Sequence, residues 1–451
     1  MKFETSSFFK SDVDRKRMPY IDMDYRDQSY DRSLFPYFLV LFLISPVLAL
    51  ISGIASFRKR GAKLICLFFI GAYGYTFILN PGMDSHTMSL NFTEYFSYLA
   101  FEDFVQDLLS AFTLSNTGST MDEPVFIVLT YSIAQFTNST NVFFLVVSTF
   151  YGIFFLTAIS IVYNEVEKNW NAVVVILFIF FISWVGLYGI NAPRTYIGGW
   201  IYFCGAYLFI KTGDYKYILL VMFAPMVHFG YFAMTLPFFA YVVMKDLRYV
   251  YVAVLLVSFF ATVGLNLFDP ILTATELGET KAEIYTGERW ENRSGGDSFT
   301  GERSFHVQYY RTAGRWAINI MFIGSILFAG YLSGKHHDRL QTGLGSVAIL
   351  MLSFSNFTTA IPALSGRTFT NFGLFALAYL VRLYSRPDEK LKAFHWVIYL
   401  CLPAILLFLL TQYSRIGDYM DFRVLVSPIL YPFLGEDPVS IKEFIRGILD
   451  L

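Results

Sequence analysis

Apolar residues in this chain run in long blocks separated by short polar ones, a pattern unlike the close alternation of a soluble domain. Uncharged stretches approaching the roughly 20 residues that span a hydrocarbon core recur at 34–57, 61–79, 141–163, 171–190, 195–210, 249–268, 316–333, 341–361, 368–381 and 394–411. Each predicts a helix, because backbone polar groups in lipid have no water to bond and must satisfy one another. The stretch 124–137 is apolar but short. The stretch 217–244 is too long for one relaxed helix and contains Pro225 and Pro237, which predicts two short helices. A weak segment at 422–434 fits a last span or a surface helix. The reading is all-α: a polytopic membrane protein of about 11–13 transmembrane or re-entrant helices. It divides into a charged tail at 1–33, one multi-helix transmembrane domain at 34–434 with outer loops 80–123 and 269–315, and a tail at 435–451.

Composition agrees. Of 451 residues 55% are hydrophobic and only 15% charged, against roughly 25% charged in soluble domains. Mean hydropathy is +0.50. With 34 Lys and Arg against 35 Asp and Glu, the net charge of -1 supplies no field that would recruit nucleic acid. Cys66, Cys204 and Cys401 all fall in apolar runs, so no disulfide framework is suggested. The first residues are too charged to read as a cleavable signal peptide, and no repeat of solenoid period is evident.

Orientation follows from where the basic residues gather, since short Lys/Arg-rich loops stay on the cytoplasmic side. Arg58-Lys59-Arg60 and Lys63 mark one inner loop. From Leu64 to Glu167 no Lys or Arg occurs, while 80–123 holds seven acidic residues, Asp84, Glu94, Glu102, Asp103, Asp107, Asp122 and Glu123, and is expected outside. Lys211 with Lys216, Lys335 to Arg339, and Arg382 to Lys392 then fall inside, and Arg194 outside. Within the outer loop an amphipathic helix is expected over 93–113, with Phe101, Phe104, Val105, Leu108 and Phe112 on one face and Glu102, Asp103, Gln106, Asp107 and Ser110 on a solvated face.

Ionisable residues are costly near a membrane span, about 2.5–3.5 kcal/mol at a helix centre on insertion scales, so the few at helix ends are the candidates for chemistry. Asp84 and His86 follow the helix-stopping run Asn80-Pro81-Gly82, where Asp84 reads either as a solvated cap or as a proton acceptor. Arg194 follows Pro193 at a helix start, where the dipole and unpaired N–H groups favour an anion such as a phosphate, with Asn191 and Thr195 as added donors. The competing reading is an interfacial Arg reaching for headgroups. His228 lies in the proline-broken segment, either as an interior histidine or as a base. Arg367, after Ser365-Gly366, is a second cation at an outer helix start. The loop 269–315 repeats Thr-Gly-Glu-Arg at 286–289 and 300–303 and adds Trp290, Arg293 and Arg311, so that Arg289, Trp290, Arg293, Arg303 and Arg311 could stack on sugars and bind phosphate; a solvated loop has the same letters. The histidines show no metal-ligand spacing, and there is no glycine-rich phosphate loop or dinucleotide fingerprint, so no cofactor is expected.

The ordered set Met83-Asp84-Ser85, Asp122-Glu123-Pro124-Val125-Phe126, Asn191 with Arg194, Lys211 to Lys216, Ala224 with His228, Lys281 to Tyr285 and Gly366-Arg367 resembles the EpsG-like branch of the Wzy-type polysaccharide polymerases. The resemblance implies a fold akin to the integral-membrane (GT-C-like) glycosyltransferases and a metal-independent transfer at the outer face of the bacterial cytoplasmic membrane. Its donor and acceptor would be oligosaccharide repeats linked through diphosphate to undecaprenol. It also implies roles: Arg194 and Arg367 on the diphosphate, Asp84 or His228 as base, and the 269–315 loop over the glycans. A chain-length regulator is a candidate partner. An outer-face ligase or single-sugar transferase, and a transporter of glycan or lipid-linked sugar, are the alternatives.

Overall fold

The computed structural model describes residues 25–115, 121–166, 169–261, 305–328, 331–332, 338–386, 394–434 and 437–448; in 25–33, 305–308 and 432 only the backbone is described. Among them the chain is helical and forms no strand beyond two isolated bridges. Four helices are long and apolar enough to cross a membrane, and several shorter apolar helices accompany them.

The expected span at 34–57 is two helices, α1 (Tyr25–Ile44) and α2 (Pro46–Ala55), because Ser45 sits in extended geometry before a proline. The pyrrolidine ring disfavours helical geometry in the residue ahead of it. The helix α3 (Arg60–Tyr75) then leads to the outer segment, where α4 (Asp84–Leu90), a π-helical turn (Asn91–Phe96) and α5 (Phe101–Thr113) follow. In α5 the expected face is only partly right. Phe104 and Leu108 pack on the core, but Phe101, Leu109 and Phe112 are exposed, and Asp107, expected in solvent, is buried. The Tyr95 hydroxyl donates to its carboxylate at 2.8 Å, supplying the partner that burial requires.

The short segment is α6 (Pro124–Ala134); α7 (Thr140–Val166) and α8 (Ala172–Val185) follow, the latter continued by a 3₁₀ turn (Leu187–Asn191) into α9 (Pro193–Thr212). The proline-rich stretch breaks, into three pieces where two were expected: α10 (Lys216–Val227), the single turn α11 (Tyr231–Met234) and α12 (Leu236–Met244). Then come α13 (Arg248–Ser258), α14 (Phe305–Phe328), α15 (Arg339–Phe357), α16 (Pro362–Tyr384), α17 (His395–Tyr419) and, after two 3₁₀ turns in place of a last span, α18 (Ile441–Ile448). Two expected boundaries move. A helix begins at Phe305, inside the expected 269–315 loop, so Arg311 stands on a helix, and α17 runs to Tyr419 and carries Gln412, Arg415 and Asp418 into the structure.

The centre is α9, which packs on α7 and α10 and is buried nearly all round, with Trp200, Tyr202 and Tyr207 enclosed. A helix buried on every side needs small residues where neighbours come closest. Gly74 of α3 is such a point: a Cβ there would collide with the Ser148 hydroxyl and the Phe144 carbonyl of α7. Gly74→Ala is therefore expected to lower stability by about 1–3 kcal/mol, read as a fall in the thermal midpoint of the detergent-solubilised protein; an unchanged midpoint would show that α3 and α7 are not held that closely.

The ends opposite Asp84 are tied by ion pairs. Glu165 of α7 meets Lys211 of α9 at 2.7 Å and Arg382 of α16 at 3.4 Å, while Asp338, capping α15, takes Arg382 at 2.9 Å and Arg386 at 2.8 Å. These are the ends the basic loops are expected to place inside.

Candidate functional site

Three helix starts meet at the other end. Asp84 opens α4 behind Gly82, whose φ of 88° suits a residue without a side chain. Glu123 caps α6 ahead of Pro124, and Arg194 is the second residue of α9, behind Pro193. Carboxylates belong at helix starts and a guanidinium does not, so Arg194 is held there by its partners. Its Nη2 and Nε grip both oxygens of Asp84, the latter at 3.3 Å, and its Nη1 donates to Glu123 Oε2 at 2.9 Å. The second Glu123 oxygen, Oε1, faces His228 Nδ1 at 2.8 Å. The result is one continuous row, Asp84, Arg194, Glu123, His228. Glu123 and His228 are buried, while Asp84 keeps 27% of its side chain exposed and is the open end.

His228 comes from the break between α10 and α11, in extended backbone geometry. Its Nε2 is buried without a hydrogen-bond partner, and beside it stands Gly230, where a Cβ would lie 3.3 Å from that nitrogen. With a proton on Nδ1 shared with Glu123, the lone pair resides on Nε2. Nearby, Ser85 Oγ donates to Asn191 Oδ1 at 3.4 Å, and the Asn191 amide nitrogen is likewise buried and unpartnered.

Next to this row lies a cavity of about 380 Å³ between α9, α14 and α16. Arg311 and Arg315 project into it from one face of α14, four residues apart, and Arg367 from α16. Arg311 Nε donates to the Tyr310 hydroxyl at 2.9 Å and Arg315 stacks 4.9 Å from the centre of the Phe369 ring. Among the described residues neither has a carboxylate partner, and none of the lining residues is acidic. Tyr196 is within electrostatic reach of Arg311 and Arg367, and His228 of Arg367 and Arg194. The wall between row and cavity is Tyr231, whose hydroxyl donates to the Thr195 carbonyl at 2.9 Å and accepts from Asn371 at 3.2 Å, with its ring edge-on to His228.

Thus Asp84, Arg194 and His228 come together in the row, whereas Arg367 and Arg311 stand in the adjoining cavity. Arg289, Trp290, Arg293 and Arg303 lie outside the described residues. Arg194 was expected to hold a substrate anion; the anions it grips here are Asp84 and Glu123 of its own chain. Glu123, which the sequence offered only as an acidic residue of the outer segment and as part of the Asp122-Glu123-Pro124 motif, takes a central place in the row, and Arg315, one of the arginines of the 269–315 stretch, joins Arg311 in the cavity. Among the described residues no three His, Cys, Asp or Glu side chains gather closely enough to hold a metal ion.

The sequence profile of the EpsG family matches residues 62–422, which takes in the whole row and all three cavity arginines. No curated protein and no solved structure matches the chain.

Proposed function

The chain belongs to the EpsG family, associated with Wzy-type polysaccharide polymerases, and from that premise we propose that it polymerises undecaprenyl-diphosphate-linked oligosaccharide repeats at the outer face of the bacterial cytoplasmic membrane. The observation that carries this reading is a cavity into which Arg311, Arg315 and Arg367 all project, beside a buried histidine with one unpartnered nitrogen.

The cavity's guanidiniums suit a diphosphate, which they can grip with paired N–H groups. As the bond from the anomeric carbon to the diphosphate oxygen breaks, negative charge grows on that oxygen, and preplaced arginines stabilise it without reorganising. The acceptor hydroxyl loses its proton to His228 Nε2 as its oxygen bonds the anomeric carbon, and the carrier diphosphate leaves. Asp84 is the weaker candidate for this step because Arg194 occupies both of its oxygens. Glu123 steadies the imidazolium that forms, and Arg194 keeps Glu123 in place. No step calls on a metal ion. Holding two lipid-borne substrates side by side supplies much of the rate.

Purified protein in liposomes, given the carrier-linked repeat, is expected to produce a ladder of glycans. Arg194→Ala leaves Asp84 and Glu123 facing one another with no charge between them, and is expected to cost about 3–5 kcal/mol of stability and to abolish the ladder. Normal ladders from that variant would overturn the assignment of the row.

A further inference from the structure

A second cavity, of about 460 Å³, lies at the same end of the helices, between the exit of α3, the last turns of α17 and the start of α18. Its chemistry differs from that of the first. Asp418 and Lys442 form an ion pair at 3.0 Å on its lining, Lys442 also donates to Ser414 Oγ at 3.2 Å, and Asn80 and Thr411 add neutral polar groups. It sets two cations, Arg415 and Lys442, beside one carboxylate, Asp418, among neutral hydroxyl and amide groups, where the first holds three guanidiniums and no acid among its described lining residues. A set that mixes charged donors with a carboxylate, a hydroxyl and an amide matches the many hydroxyls of a saccharide, each of which both donates and accepts.

The two cavities are neighbours with a thin wall. Tyr188 and Tyr310 line the first; Arg415, which lines the second, donates to the Tyr310 hydroxyl and stacks 4.9 Å from the centre of the Tyr188 ring. Tyr188 in turn meets Tyr419 edge-on at 5.6 Å. The second cavity also reaches Asn80 and Pro81, which lead directly to Asp84 at the open end of the row.

We infer that this second cavity is a saccharide subsite that holds the sugar chain of the acceptor, with Asp418 and Lys442 as its hydroxyl-binding pair. The inference rests on the polymerase reading for the word acceptor, and on the cavity alone for the word saccharide.

The natural cysteines Cys66, Cys204 and Cys401 are buried, which allows single reporter thiols. Ser414→Cys places one in the second cavity and Thr370→Cys one in the first. Each reconstituted variant is treated with a small thiol reagent, alone, with the repeat-unit oligosaccharide freed from its carrier by mild acid, or with inorganic pyrophosphate. The oligosaccharide is expected to slow labelling at 414 about tenfold when present at about ten times its dissociation constant, with pyrophosphate without effect there; pyrophosphate is expected to protect 370. Equal labelling at 414 with and without oligosaccharide, or protection of 414 by pyrophosphate, overturns the subsite. Asp418→Asn, expected to weaken the oligosaccharide's protection at 414 while leaving pyrophosphate protection at 370 intact, checks that the effect is local. If wild-type protein makes ladders but 414 is unprotected, the subsite is wrong and the polymerase reading stands. If 414 is protected but no ladder forms, the reverse holds.

Discussion

Glu123→Ala is expected to be the most damaging single change in this protein. It removes the carboxylate that joins Arg194 to His228, and both partners are then left in a buried setting without it. Breaking a buried pair by deleting one member costs about 3–5 kcal/mol, and loss of a positioned acid-base group costs about 10²–10⁴-fold in rate. Two gentler variants separate these effects. Glu123→Gln keeps the shape but not the charge, and is expected to fold while losing most of kcat with little change in donor KM. Glu123→Asp keeps the charge on a shorter arm and is expected to restore part of kcat. Steady-state kinetics on reconstituted protein, with thermal unfolding alongside, distinguish the cases. A Glu123→Gln enzyme with normal kcat would show that His228 needs no carboxylate behind it.

The cavity arginines call for the opposite stability result. Arg311 and Arg315 have no acidic partner among the described residues, so removing Arg315 relieves its repulsion from Arg311 and gives up a stacking contact with Phe369 but strands no carboxylate described there. Arg315→Ala is expected to keep or raise the thermal midpoint while lowering kcat/KM about 10²–10³-fold, the range seen when one preplaced donor to a growing negative charge is lost. Inhibition by inorganic pyrophosphate is expected to weaken in parallel. Arg315→Lys, which keeps the charge without the two-pronged geometry, is expected to recover only part of either. Full activity in Arg315→Ala would remove the diphosphate from this cavity.

Much of the helix order was legible because apolar blocks in lipid leave the backbone little choice. The break in 217–244 showed in its prolines, and the start of α9 in Pro193. The break at Ser45 was hidden by apolar residues on both sides, with Pro46 its one trace. The first turns of α14 looked like loop because they carry Arg, Tyr and His. Asp107 read as solvated because its partner, Tyr95, lies 12 residues away on a separate element. The row itself could be read only in pieces. Asp84, Arg194 and His228 each marked a helix end, but the pairings that join them span from 71 to 110 residues of sequence. No local pattern encodes which carboxylate meets which cation.

The ion pairs that lace Glu165, Lys211, Asp338, Arg382 and Arg386 together bind α7, α9, α15 and α16 at the end opposite Asp84. A sheaf of rods cinched at its base spreads least at the knot; at its other end α9 is moored instead through Arg194 to α4 and to the Glu123 cap of α6. On the proposed function, helices parting to admit a bulky lipid-borne glycan would move least at the Glu165 end and most toward Asp84.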